Sequence, residues 1–309
     1  MTMPNDSSGC LTISENAGRI EGELWTVGEP RVLSAVVMNG TSLNFAKECR
    51  VGPPEYVGGP PVGDRILCQH TAKIEDDAVH VTMSVPNPDG TVEAVTFHGK
   101  RMPPPSPRPD LSKIRFGDPV QLFNGRDLTG WKLANPRQMN GWKAVDGVLV
   151  NETPKRSFSP WSKYGNLRTV REFMDFNLSI EFKVPPGGNS GVYLRGVYEA
   201  QVLDRDSRMQ GIQGVGAIFG RIAPAENAGR PGDEWQQYVI TLVDRHVTVV
   251  LNGVTVIDNQ PLSGCTVGAL QADETIPGPL YLQGDHTSVS YRNIVLQPVV
   301  RNETPPPSE

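Results

Sequence analysis

In the segment FNLSIEFKV the even positions Phe176, Leu178, Ile180, Phe182 and Val184 are apolar and the odd positions are polar. Side chains alternate faces along a strand, so this period of two predicts a strand with one face buried. WQQYVITLV and VSYRNIVL predict two more strands. HVTVVL and VTVID flank Asn252-Gly253, a pair whose tolerance of positive φ suits the type I′ turn of a two-residue hairpin. The stretch GGNSGVYLRGVYEAQVLD, residues 187 to 204, carries the most information. Read as a strand, it places Tyr193, Arg195, Glu199 and Gln201 on one face and Val192, Leu194, Tyr198, Ala200 and Val202 on the other.

Nearer the amino terminus, Val79, Val81, Met83 and Val85 alternate with polar residues. Pro88-Asp89-Gly90 then predicts a turn and TVEAVTF a returning strand. RVLSAVVM predicts another strand, whereas CRVGPPEYVGGPPVGD is too rich in glycine and proline for regular structure. Residues 1–100 therefore read as a small β domain without a catalytic cluster. RMPPPSPRPD follows, its five prolines fixing the backbone and removing amide donors. Residues 101–115 are accordingly expected to form a stiff, extended linker. Residues 116–300 form a second domain, and 301–309 (RNETPPPSE) a disordered tail. Many short strands without a βαβ rhythm predict an all-β, antiparallel sandwich of the jelly-roll kind.

A length of 309 residues with 38% hydrophobic composition is sufficient for two cores. The net charge is −5, from 29 basic and 34 acidic residues, and there is no lysine- or arginine-rich run. The electrostatic footprint of a nucleic-acid or anionic-membrane binder is therefore missing. No stretch approaches the roughly 20 apolar residues of a membrane helix, and MTMPNDSSGC has neither the basic start nor the apolar core of a secretory signal. The chain as written is expected to be cytoplasmic. Cys10, Cys49, Cys68 and Cys265 lack CxxC spacing and neighbouring histidines, which argues for buried thiols rather than a zinc site; a Cys49–Cys68 disulfide would require export.

Glu199 sits between Tyr198 and Ala200 in an otherwise apolar strand, where partial desolvation would raise its pKa and suit it to general-base work. The competing reading is an ion pair with Arg195 within the sheet. His70, His80, His98 and His246 stand in strand-like contexts without partner motifs. His286 is different: it follows Asp285 just past a strand that aligns Tyr281 and Gln283, and an Asp-His pair at a strand end can orient an imidazole for proton transfer. GIQGVGAIFG fits neither GxGxxG nor the Walker spacing and reads as a flexible loop. GxSxG and HExxH do not occur. Asp204 and Asp206 offer oxygen ligands for a structural calcium ion, though not at EF-hand spacing. No cofactor is required, and the metal question and oligomeric state stay open.

The motifs LFNGRDLTGW, WKAVDGVLV, GGNSGVYLRGVYEAQVLD, GAIFG followed by AP, EWQQYVITLV and LQGDHTSVSYRNI, in this order and spacing, resemble the 3-keto-disaccharide hydrolase domain family over about residues 117–298. The resemblance implies a concanavalin A-like jelly roll with a sugar site on its concave face. The amino-terminal domain looks like one often joined to such domains, and relatives are often exported. The family's Glu-x-Gln strand falls on Glu199 and Gln201, its Tyr-Leu-Arg on Tyr193 to Arg195, its Asn-Ser-Gly on Asn189 to Gly191, and its Gln-Gly-Asp-His on Gln283 to His286. The implied substrate is a small carbohydrate, a 3-keto-disaccharide or 3-keto-glycoside. The implied activity is hydrolysis of its glycosidic bond by C2 deprotonation, elimination and water addition. On this reading Glu199 is the base, Asp285 and His286 deliver a proton to the leaving group, and Asn189, Tyr193, Arg195, Gln201 and Gln283 bind the sugar. Tyr193, Trp161 or Trp131 would stack on it. The alternative is a non-catalytic, lectin-like carbohydrate-binding module, since this fold hosts both.

Overall fold

The computed structural model describes residues 1–2, 8–25, 31–50, 63–87, 90–153 and 164–301. The Pro88-Asp89 turn, most of the glycine- and proline-rich stretch after Arg50, Trp161 and the tail beyond Arg301 lie outside the described residues. The amino-terminal part contains β1 (Cys10–Asn16), β2 (Arg19–Trp25), β3 (Arg31–Val32), β4 (Ser34–Asn39), β5 (Ser42–Arg50), β6 (Arg65–Glu75), β7 (Ala78–Pro86) and β8 (Val92–Lys100). They make a three-stranded sheet, β1-β2-β3, and a five-stranded meander, β4-β5-β6-β7-β8. Leu24, Leu33, Leu43, Phe45, Ala72, Val81 and Phe97 form their shared core. Val79 and Met83 pack against it, as the period of two requires. His70, buried and stacked on Phe45 at 4.8 Å, belongs to this core.

The second part opens with β9 (Val120–Gln121), β10 (Trp131–Leu133), β11 (Trp142–Val145), β12 (Val148–Asn151), β13 (Leu167–Phe173) and β14 (Phe176–Lys183). It continues with β15 (Asn189–Leu194), β16 (Tyr198–Leu203), β17 (Gln236–Val243) and β18 (His246–Leu251). The last strands are β19 (Val254–Pro261), β20 (Gly278–Leu282) and β21 (Val289–Pro298). One sheet runs β10-β13-β20-β15-β16. The other runs β11-β12-β21-β14-β17-β18-β19, with β9 added beside β21. A continuous apolar core joins the two, so the domain is the expected all-β jelly-roll sandwich with a small β domain in front. Along β14 every even residue is buried, and Phe182 lies 4.8 Å from the Tyr238 ring of the neighbouring strand. Asn252 and Gly253 have φ of 52° and 86°, the pair of positive values a type I′ turn needs.

The proline-rich segment lies along the sandwich. The Pro103 carbonyl accepts from Arg245 (2.5 Å), the Pro109 carbonyl accepts from Asn259 (2.9 Å), and Arg108 pairs with Asp258 at 2.9 Å. All four cysteines are free thiols, Cys68 and Cys265 buried and Cys10 and Cys49 partly so. Among the described residues no helix is long and apolar enough to cross a membrane.

Phe182→Ala removes a fully buried ring from the sandwich core. It is expected to lower stability by about 3–5 kcal/mol, read as a fall in the urea midpoint of the jelly-roll transition.

Candidate functional site

Strands β15 and β16 pair so that Tyr193 faces Glu199, Gly191 faces Gln201 and Asn189 faces Leu203. Val192, Leu194, Tyr198, Ala200 and Val202 turn into the core. Tyr193, Glu199 and Gln201 therefore share the opposite face. The register continues across β20 and β13, with Tyr193 opposite Tyr281 and Tyr281 opposite Arg168. The Gln283 amide donates to the Gly191 carbonyl (2.9 Å), which sets Gln283 beside the row of Gly191 and Gln201. The Tyr193 and Tyr281 rings lie 4.6 Å apart.

Beyond β20 the chain turns through Gly284, Asp285 and His286. Asn166 builds this turn: its side-chain oxygen accepts from the Gly284 and Asp285 amides at 2.7 and 3.1 Å. Its side-chain nitrogen donates to the Tyr281 hydroxyl at 2.6 Å and to Asp285 at 3.4 Å. From the other side Asn151 and Thr153 donate to the Gly284 carbonyl at 2.9 and 2.6 Å. Gly284 is required by close packing, because a Cβ there would come within 2.7 Å of Trp142. Asp285 Oδ1 lies 2.6 Å from His286 Nδ1. Asn189 joins the group by accepting from Gln201 (3.2 Å), and its own amide donates to Thr287 (2.8 Å).

The Glu199 carboxyl is seated above Gly191, where a Cβ would fall 2.1 Å from its oxygen. Only 4% of Glu199 is exposed. Burial pushes its pKa up to about 8, although the Tyr193 hydroxyl and the His286 charge pull in the opposite direction. Burial would lower the His286 pKa, but Asp285 and the Glu199 charge outweigh it and hold the imidazole above its ordinary value. Glu199 and His286 thus act on each other within one site. Exposure grows from Glu199 at 4% to side-chain values of 20% for Asp285 and 22% for His286, so the site opens at the imidazole end. The carboxamide oxygens of Gln201 and Gln283 are buried and have no partner among the described residues, leaving two acceptors for hydroxyl donors.

Of the eight residues expected at the site, seven gather here and Arg195 does not. Strand β15 ends at Leu194, and Arg195 occupies the turn with φ of 55°. Its guanidinium points to the core side of the sheet, donating to the Tyr198 hydroxyl (3.4 Å) and the Glu274 carbonyl (3.1 Å). The turn interrupts the alternation that had placed Arg195 beside Glu199. Both the sugar-binding role and the Glu199–Arg195 ion pair are thereby withdrawn. Trp131 is also removed as a stacking surface: it is buried in the core and donates to the Leu122 carbonyl at 2.7 Å. The segment containing GAIFG is ordered rather than flexible, with Val215, Ala217 and Ile218 buried against the edge of β16.

Asn166 and the seat at Gly191 are additions. Asn166 precedes its strand with no motif to mark it, whereas Gly191 stood in the Asn-Ser-Gly motif as an unexplained small residue. Asp204 accepts from the Gly187 and Asp206 amides, and Asp206 pairs with Arg205. Among the described residues no group of three His, Cys, Asp or Glu is placed to hold a metal.

A family model described as 3-keto-alpha-glucoside-1,2-lyase-like domain matches residues 118–297. The chain belongs to this family. Solved structures similar to this chain include two proteins of Parabacteroides distasonis, each provisionally named a glycosyl hydrolase. One is 22% identical with a TM-score of 0.49, covering 59% of this chain and 94% of that one. The other is 30% identical with a TM-score of 0.48, covering 59% and 84%. A β-glucanase of Bacillus licheniformis is 12% identical with a TM-score of 0.34, covering 60% of this chain and 97% of that one. No curated protein matches the chain.

The buried carboxyl makes stability pH-dependent. Its folded pKa of about 8 lies above the ordinary 4.5, so the unfolded chain loses this proton first as pH rises. Glu199 therefore leaves the fold unpenalised below that window and destabilises it progressively through it, by a few kcal/mol at most, on the order of the pKa difference. Glu199→Gln is expected to match the parent Tm near pH 4.5 and to exceed it above the folded pKa. A Tm difference independent of pH would show that this carboxyl does not titrate there.

Proposed function

We propose that this protein cleaves the glycosidic bond of small 3-keto-glycosides, 3-keto-disaccharides among them, by β-elimination followed by hydration. The placing of the buried Glu199 carboxyl in one site with the Asp285–His286 pair, whose Oδ1 and Nδ1 lie 2.6 Å from each other, carries the reading. A ketone at C3 acidifies the hydrogen at C2, so a single positioned carboxylate suffices to form the enolate. The family description, a 1,2-lyase, agrees with loss of groups from C1 and C2.

In the first half-reaction ionised Glu199 takes the C2 proton and the enolate forms. Collapse of the enolate breaks the C1–O bond as protonated His286 gives its proton, through Nε2, to the departing oxygen. Asp285, bonded to Nδ1, orients the ring and balances its charge. The products are an alcohol and an enone, with Glu199 protonated and His286 neutral. In the second half-reaction His286 accepts a proton from water as the oxygen adds to C1, and Glu199 returns its proton to C2. Both side chains are thereby reset and the sum is hydrolysis. The unpartnered oxygens of Gln201 and Gln283 accept from ring hydroxyls, and the Gln283 amide group donates to the C3 oxygen where enolate charge develops. Each step draws on side chains alone, without a cofactor.

The mechanism differs from glycoside hydrolysis through an oxocarbenium-like state, which requires two carboxylates flanking the bond. A base next to an acidified C–H and an imidazole acid do not constitute that pair.

The test is sugar release from 3-ketosucrose or 3-keto-trehalose. Glu199→Gln is expected to lower kcat by roughly 10²–10⁴-fold while sugar binding persists. His286→Asn is expected to lose rate on a poor leaving group and to regain it on a nitrophenyl 3-keto-glucoside, a rescue not shared by Glu199→Gln. In the parent, kcat/KM should rise with pH through about 8 as Glu199 ionises and fall again at higher pH as His286 loses the proton it donates, giving a bell-shaped profile. Binding without turnover of any keto-sugar would replace the enzyme reading with that of a lectin-like module.

A further inference from the structure

Two loops of the sandwich converge on the backbone of Glu199. The first, residues 214–222, lies along the free edge of β16: the Phe219 amide donates to the Glu199 carbonyl (2.9 Å) and the Gln201 amide to the Ala217 carbonyl (3.0 Å). The second begins at Gly264. Its Thr266 hydroxyl accepts from the Glu199 amide (3.0 Å) and donates to the Val197 carbonyl (3.1 Å). Its Val267 carbonyl accepts from the Tyr193 hydroxyl (2.7 Å). One loop therefore fixes the carbonyl of the candidate base, and the other fixes its amide and the phenol beside its carboxyl.

Arg221 ties these loops together. Its own amide is held by the Ile218 carbonyl (2.8 Å), and its guanidinium reaches across to the Cys265 carbonyl (2.8 Å), one residue before Thr266. The outer face of the guanidinium is covered from the amino-terminal domain, where the Trp25 ring lies 4.0 Å from Arg221 Cζ. Gly220 has φ of +66°, and a Cβ there would stand 2.5 Å from the Trp25 ring. Trp25 is only 3% exposed. The last residue of β2 is thus inserted against the loop that borders the site.

We infer that Arg221 is a positioning residue for Glu199, and that Trp25 of the amino-terminal domain holds Arg221 in that role. The inference rests on the proposed base function of Glu199. It assigns the small β domain a part in the reaction chemistry carried by residues 116–300. A planar guanidinium suits the place because it donates in the ring plane while its face lies on the indole. Without the tie, the Phe219 and Thr266 contacts are free to drift apart, and water reaches a carboxyl that is otherwise surrounded by Tyr193, Tyr281, Asp285 and His286.

The experiment compares Arg221→Leu, Trp25→Leu and the double variant in the full-length protein. Each single variant should lower kcat for a 3-keto-glycoside about 10- to 100-fold with a smaller change in KM. Each should also move the ascending limb of the pH profile downward by about one unit as the carboxyl becomes hydrated. The double variant should resemble the singles rather than their product, because both remove one tie. Glu199 ionisation is read a second time, without substrate, from the pH dependence of the Tm difference between Glu199 and Glu199→Gln in each background. This second readout distinguishes failure of the positioning role from failure of the keto-glycoside reading. Should a leucine variant not fold, Arg221→Lys and Trp25→Phe take its place with smaller shifts in the same direction. Folded variants with an unmoved Glu199 titration and parental kcat would overturn the inference, as would effects that multiply.

Discussion

A carboxyl group lying on a glycine is the constraint around which this site is arranged. Glu199 can fold down over β15 only because position 191 has no side chain, and a Cβ there would stand 2.1 Å from its oxygen. Once seated, the carboxyl is too far from water to ionise at its usual pH. Its neighbours compensate with dipoles and one cation rather than with an arginine. Tyr193 and His286 share the task, Tyr193 held by the Val267 carbonyl and His286 by Asp285, whose turn is built on Asn166. Charge balance within the site is therefore distributed over four segments that meet only in the folded state.

The sandwich makes that meeting geometrically definite. Because side chains alternate along every strand, the same registers that send Val192, Ala200 and Val202 into the core send Tyr193, Glu199 and Gln201 out of it. A one-residue slip of β16 would exchange the two sets, burying a carboxylate in an apolar core. The cost of that exchange helps to fix the register on which the site depends.

Strong periodicity was readable in advance. β14, β17 and the Asn252-Gly253 hairpin follow directly from alternation and turn chemistry, and the polar row containing Glu199 and Gln201 follows from the same rule. The error at Arg195 has a local cause: alternation holds only while the chain stays extended, and a positive φ at the hairpin ends it. Arginine itself has no preference for left-handed backbone, and the one mark of the break is Gly196, whose φ of 64° completes the turn. Asn166 was invisible for a different reason. Its function is to bind backbone amides more than a hundred residues away, and such pairings have no local pattern. The GAIFG segment was misjudged as mobile because glycine content reports conformational freedom, not the apolar contacts that remove it.

The proline-rich segment gives the two domains a particular thermodynamic relation. With its carbonyls held by Arg245 and Asn259 and Arg108 paired to Asp258, its path over the sandwich is anchored at three points. A tether fixed in this way raises the effective concentration of the indole at its guanidinium far above that of a freely diffusing partner. A stacking contact too weak to hold two separate molecules together can then be occupied nearly all the time.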